Sequence, residues 1–414
     1  MTISLKERIE AANKEVIDKM LDSQPVLIDV MKLKEFNPTI NGMTLTHSGP
    51  PVKFEDMSGA QVGAVIAACI YEKWAKNEAE AISLAKSDQI HFSPNHEFDG
   101  VGPMAGVLSP NMNVFVVEDR KTKLRSYSSI EYDVLFGAYD DEAIDEVRRW
   151  NDIYYPAIKN ALAEMKGIEL KPLMTQALSM GDELHSRQVA SSSLFAKILA
   201  GSITSTNDKE VAVKTLKELS SNELTFLPIV MAACKVSSMN VGLVPYSTIV
   251  TVMARNGTEF GIKVSGLGNR WFTAPAQPIE TMFFPGYSEA DAGRDIGDSV
   301  IAETNGLGGF AFAAAPAIAG LVNAKFNQLV DYSLEMRKIC FGRNQSYGIP
   351  YLDYDGTAFG IDIRKVLQTN IVPILDTATA HKEPGHRIIG AGIVKPPLAC
   401  FEKALEAWFN EYNE

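Results

Sequence analysis

The sequence predicts a multi-domain α/β (α+β) protein, built from mixed sheets with a separate all-helical insert, on three observations. Helix-like and strand-like segments alternate over the first 135 residues, apolar residues recur at three and four from about 140 to 225, and strands return after Asn222. The 414-residue length accommodates two or three domains. They are expected at 1–138 (α/β), 139–225 (helical) and 226–414 (α/β with glycine-rich loops).

Taken in order, residues 4–22 carry charges at helical spacing, and PVLIDV (25–30) is a short apolar strand. QVGAVIAACIYEKWAKNEAEAISLAK (61–86) reads as one long helix and NVFVVED (113–119) as a strand. Three helical runs follow, at 141–165, 170–200 and 208–221. The clearest hairpin is YSTIVTVMARNGTEFGIKVSG (246–266), with its turn at Asn256–Gly257, because Asn-Gly supplies the positive φ that a tight turn demands. LACFEKALEAWFNEY (398–412) is a terminal helix.

Composition narrows the function. The 39 basic and 51 acidic side chains leave a net charge of −12, which repels phosphate backbones and anionic lipid, so neither nucleic acid nor membrane is an expected partner. Cys69, Cys234, Cys340 and Cys400 are scattered, form no C-x-x-C and fit a reducing, cytoplasmic setting. The charged N-terminal run lacks the apolar core of a signal peptide, and the stretch from Gly306 to Val322 is interrupted by Pro316 and too short to span a bilayer.

Five segments carry more glycine and polar side chains than packing needs. In HFSPNHEFDGVGPMAG (91–106), His91, His96, Glu97 and Asp99 could ligate a metal, although a surface turn is the plainer reading, and no metal or cofactor is expected. Gly102 and Gly106 there would let the backbone approach a ligand. In MGDELHSRQ (180–188), read as helical, Asp182 would orient His185 as acid or base and Arg187 would hold a carboxylate; the alternative is a solvated face with Asp182–His185 and Glu183–Arg187 pairs. In VSGLGNRWFTAP (264–275), Arg270 precedes Trp271, either as an anion contact or as part of a structural loop.

The fourth segment is GDSVIAETNGLGGFAFAAAP (297–316), read as a strand, DSVIAE, turning through Asn305, Gly306, Gly308 and Gly309 into an alanine-rich helix. Free N–H groups at a helix start cradle anions, and Gly306, Gly308 and Ala311 also fit the spacing of a dinucleotide-binding turn. The fifth, 361–397, gathers Arg364, His381, Lys382, Glu383, His386 and Arg387 near a Gly390-Ala391-Gly392 turn. Its donors suit a small anionic metabolite, or else a charged structural turn.

In series, GVGPMAGVLSP, MGDELH, TVMARNGTEFGIKVSGLGNRWFTAP, GDSVIAETNGLGGFA, GIDIRKVLQTNIVPILDTATAHKEPG and IGAGIVKPPLACFEKAL resemble the AllG family over residues 25–407. The resemblance implies one subunit of oxamate carbamoyltransferase, acting in purine (allantoin) degradation beside FdrA-like and AllH-like proteins. Its departures include Ser186-Arg187-Gln188 after MGDELH, where the family pattern has x-R-N, and His386-Arg387 in the late loop, where it often has glycine-glutamine. The Ser-Thr-Arg-Thr phosphate motif of the aspartate and ornithine carbamoyltransferases is absent. Under the implied reaction, phosphorolysis of oxalurate, the 306–309 glycines would take phosphate, Arg270 or Arg364 the substrate carboxylate, and His185 or His381 the proton. A non-catalytic scaffold subunit and a nucleotide-dependent enzyme using the 306–311 turn are the alternative readings.

Overall fold

The computed structural model describes residues 4–412. Met1–Ile3, the start of the charged N-terminal run, and Asn413–Glu414 lie outside the described residues. Helices and several small sheets alternate, so the α+β class holds. One sheet sets Arg125–Ser128, Asn113–Asp119, Pro25–Lys32 and Ile168–Glu169 side by side, antiparallel throughout. A second orders Ile296–Gly297, Val250–Asn256, Glu259–Val264 and Phe272–Pro275. A third joins Glu280–Phe283, Ile388–Val394 and Leu375–Ala380. Two-stranded ladders complete the set: Cys340–Ile349 with Asp355–Ile361, and the parallel pair Thr44–His47 with His91–Pro94.

Packing crosses the boundaries expected at 138/139 and 225/226. Strand Ile168–Glu169 pairs with Pro25–Lys32, and helix Leu227–Met239 packs on strands 113–119 and 125–128. One buried cluster runs from Leu27 through Phe195 to Ala380, and a second, around Phe260, Phe310 and Trp408, fills the C-terminal part. The four cysteines are buried and unpaired. Among the described residues, no helix is long and apolar enough to cross a membrane.

Four sequence readings are corrected. The helix expected over 61–86 is two, Gly59–Tyr71 and Glu78–Ala85, because Lys73 turns the chain at φ +62° and the Asn77 side chain caps the second helix at Glu80 N–H. The hairpin turn is shifted by one: Arg255 pairs with Phe260, so Gly257–Thr258 is the loop, and only Gly257 needs positive φ (+81°). The expected strand DSVIAE is instead a helical turn, Ile301–Thr304, buried on every side, where apolar periodicity cannot tell strand from helix. The expected helix over 170–200 breaks into Leu170–Ser179 and Val189–Thr206. That break makes the site.

A buried histidine–carboxylate cluster as candidate functional site

Gly181 adopts φ +101° after the helix Leu170–Ser179, and the chain leaves the helical path. Asp182 then accepts the N–H groups of Ala190 (3.1 Å) and Ser191 (2.7 Å), capping the next helix rather than orienting His185. Glu183 Oε1 accepts three backbone N–H groups, from His185 (3.2 Å), Ser186 (2.5 Å) and Arg187 (2.8 Å). With Leu184 at φ +69°, this wraps residues 183–187 around a carboxylate and turns the histidine inward.

His185 Nδ1 lies 2.8 Å from Glu303 Oε1 and 3.5 Å from Asp376 Oδ1. Glu303 sits on the turn Ile301–Thr304 and Asp376 on strand Leu375–Ala380, so three distant segments meet at one ring. The glycine-rich run closes the arrangement. Gly308 N–H donates to Glu183 O (2.8 Å) and Gly309 N–H to Glu303 Oε1 (3.3 Å). A Cβ on Gly308 would stand 2.4 Å from Glu303 Oε1 and 3.0 Å from His185 Cβ. Those N–H groups therefore hold the protein's own carboxyl and carbonyl oxygens, and the segment after them is a 3₁₀ stretch, Gly308–Ala314, not the expected α-helix.

Arg255, on the hairpin strand, is the cluster's buried cation. It donates to Asp295 Oδ1 (2.7 Å), Gly297 O (2.8 Å), Ser299 Oγ (3.1 Å) and Thr377 Oγ1 (2.8 Å). Around it Glu183, Asp295, Asp298, Glu303 and Asp376 are all buried. One guanidinium cannot offset so many desolvated carboxylates, and protons are the cheapest way to remove the remaining charge. Burial pushes Glu303 up to about 8 and Asp298 up to about 7, and raises Asp295 and Asp376. Glu183 is driven well up by burial and then by the Asp376 charge. Burial pushes His185 down to about 4, so its ring is neutral at neutral pH.

His185, Glu303 and Asp376 each offer one ligand atom within 4.8 Å of one another, the composition of a divalent-cation site. The direct 2.8 Å contact between Nδ1 and Glu303 joins two of these ligand atoms through a hydrogen bond. A proton in that hydrogen bond answers the same charge.

A pH dependence follows. Glu303 and Asp298 hold their protons to about 8 and 7, against ordinary values of 4.5 and 3.8, so the unfolded chain releases them first. The depressed His185 acts oppositely, but only between about 4 and its ordinary 6.5. From roughly pH 6.5 to 8 the folded state binds more protons than the unfolded state, and stability falls as pH rises. Urea midpoints across that range should decline, and Glu303→Gln should flatten the decline. A flat or rising wild-type profile would count against proton sharing.

The cluster opens on a cavity of about 180 Å³. His185, Ser186, Gln188, Ser299, Thr377 and the carboxyl of Glu131 supply its polar wall, Phe136 and Phe284 part of its apolar one, and no lysine or arginine lines it.

The other expected site residues stand apart. Arg187 Nε donates to Gly181 O (3.1 Å), and Arg270 forms a surface pair with Glu411 (3.2 Å). Arg364 braces Asp362 and Glu10, while Asn305 donates to Cys234 O. Gly306 turns at φ +84° against Thr357. His381 stacks on His386 at 3.7 Å, and Lys382 is exposed. In the early loop His96 is buried, with Nε2 3.6 Å from Asp298 Oδ1, and His91 is exposed; with Glu97 and Asp99 they form no metal-holding group among the described residues. Sequence reasoning missed Glu303, Asp376 and Arg255. Their signal was an ionisable residue inside an apolar run, as in VIAET, PILDTAT and IVTVMARN.

Comparison with known proteins places this geometry among relatives. The family model "Oxamate carbamoyltransferase subunit AllG" matches residues 90–299. The oxamate carbamoyltransferase subunit AllG of Escherichia coli (strain K12) is 40% identical over 407 residues, covering 96% of this chain and 97% of that protein. The uncharacterized protein YahG of the same strain is 40% identical over 414 residues, covering 99% of this chain and 88% of that protein. A crystal structure of a conserved protein of unknown function from Enterococcus faecalis V583 superposes with a TM-score of 0.96 at 41% identity, covering 99% of both chains.

Proposed function

Because the chain belongs to the AllG family, we propose that it is a subunit of an oxamate carbamoyltransferase-type assembly in purine (allantoin) degradation, with His185, Glu303 and Asp376 as its proton-handling centre. In the phosphorolysis of oxalurate a phosphate oxygen bonds to the carbamoyl carbon and the C–N bond to oxamate breaks. The proton that phosphate gives up is made good at the departing nitrogen.

The observation that carries this reading is the character of the cavity beside His185. Its polar wall holds hydroxyls at Ser186, Ser299 and Thr377, the Gln188 amide, an uncharged imidazole and the Glu131 carboxyl, which burial pushes up to about 7. These acceptors and donors, with no cation among them, suit a urea-like carbamoyl group. Glu303, protonated at neutral pH, donates to Nδ1, so the neutral ring carries its own proton on Nε2. That Nε2 proton is delivered to the departing nitrogen while Nδ1 takes up the proton of Glu303. Arg255 fixes Ser299 and Thr377 and thereby the pocket wall.

The same cavity supports an assembly over a single chain acting alone. Phosphate and the oxalurate carboxylate need cationic partners, and none lines the cavity. FdrA-like and AllH-like subunits would supply them. The nucleotide reading has no support from the 306–311 turn, whose Gly308 and Gly309 N–H groups already bind Glu183 and Glu303. The purified chain should form no carbamoyl phosphate from oxalurate and phosphate, and should do so once mixed with those partners. Full turnover by the chain alone would overturn the assembly reading, and equal turnover by the partners without it would overturn the catalytic one.

A further inference from the structure

A second cavity, of about 480 Å³, opens on the far part of helix Leu227–Met239. Leu227 lines the cavity beside His185 and Lys235 lines this one, so the two are roughly 12 Å apart at 1.5 Å per residue. That separation is too great for direct transfer between them, since reacting atoms must approach to about 3–3.5 Å.

Lys235 and Lys263 both reach this cavity, but only one is neutralised. Lys263 Nζ contacts Glu97 Oε1 (2.8 Å) and Asn269 Oδ1 (2.5 Å), and lies 4.4 Å over the Trp271 ring. Glu97 is used up there, since it also accepts from Trp271 Nε1 (3.0 Å) and Asn269 Nδ2 (2.9 Å). Lys235 is 6% exposed, and its Nζ meets only the Nδ1 (3.3 Å) and carbonyl oxygen (3.4 Å) of His96. No described carboxylate pairs with it within 4 Å, and Asp99, Asp298 and Glu97 favour its charge only from farther off. An ammonium has three donors and His96 occupies two, leaving one for a ligand in the cavity that Lys235 lines. Asp99 stands exposed at the mouth, where water screens it.

A buried ammonium with no carboxylate directly paired to it is costly. We propose that the Lys235 cavity is a binding site for a small oxyanion, a phosphate or a carboxylate, distinct from the His185 cluster. Burial, with the neighbouring Lys263 charge, pushes Lys235 down to about 8 against the opposite pull of Asp99, Asp298 and Glu97. The anion bonds Lys235 Nζ and restores its full charge. This proposal does not depend on the carbamoyl-transfer reading.

The full chain is titrated with inorganic phosphate at constant ionic strength, and in parallel with oxamate, reading the melting temperature. Wild type should show a saturable rise with at least one of the two, which identifies the anion class. Lys235→Met should weaken that response at least ten-fold and, since it removes a buried charge with no directly paired carboxylate, should melt no lower than wild type in anion-free buffer. An equal response in both proteins overturns the proposal. Should the variant fail to fold, wild-type protein is acylated with and without the anion and its peptides mapped. Protection at Lys235 supports the site, and an unchanged acylation rate there overturns it.

Discussion

Replacing Arg255 with methionine is expected to lower the unfolding free energy by about 3–5 kcal/mol, the usual result of removing one partner from a buried ion pair. Methionine keeps most of the volume and removes every donor. Asp295 then loses the 2.7 Å partner that offsets its burial, and Gly297 O, Ser299 Oγ and Thr377 Oγ1 lose theirs. The loss should shrink toward mildly acidic pH, because protonated neighbours need no cation. Urea unfolding at pH 6 and 8 measures both. A variant as stable as wild type at pH 8 would mean that the carboxylates are neutralised by something other than Arg255 and protons.

Glu303→Gln has the largest expected effect on turnover. The amide keeps the shape and a hydrogen bond to His185 Nδ1 but cannot pass a proton. In the assembled complex kcat should fall about 10²–10⁴-fold, the usual contribution of a positioned acid or base, with KM nearly unchanged. Size-exclusion of the variant complex guards against a failure of assembly. A KM effect with kcat intact would make Glu303 a binding residue instead.

Much of the frame was legible because its elements are periodic or punctuated. Asn113–Asp119 and Leu398–Tyr412 coincide with the expected strand and helix, and the hairpin announced itself through Asn256–Gly257. The site was less legible. His185 was expected beside Asp182 and stands beside Glu303 instead, because Asp182 and His185 share a face only if the segment stays helical. Gly181 at φ +101° and the three N–H groups drawn to Glu183 unwind it, and such a nest depends on tertiary packing that spacing cannot reveal. Glu303 and Asp376 lie 118 and 190 residues beyond positions 185 and 186, in short apolar runs that read as core. The glycines at 308 and 309 were expected to let an anion approach the backbone. In the structure the carboxylate of Glu303 stands against them.

The most direct test of the central claim uses the chain's six histidines as probes. With uniformly 15N-labelled histidine in this subunit, and His185→Gln to assign the signal, ring-nitrogen shifts are followed in the assembled complex as oxalurate is added. The account predicts a neutral His185 ring from pH 6 to 8 whose resonances move on saturation with oxalurate, and whose shift is altered by Glu303→Gln. Unmoved His185 signals at saturating oxalurate, with the shifts confined to another histidine such as His96, would contradict it.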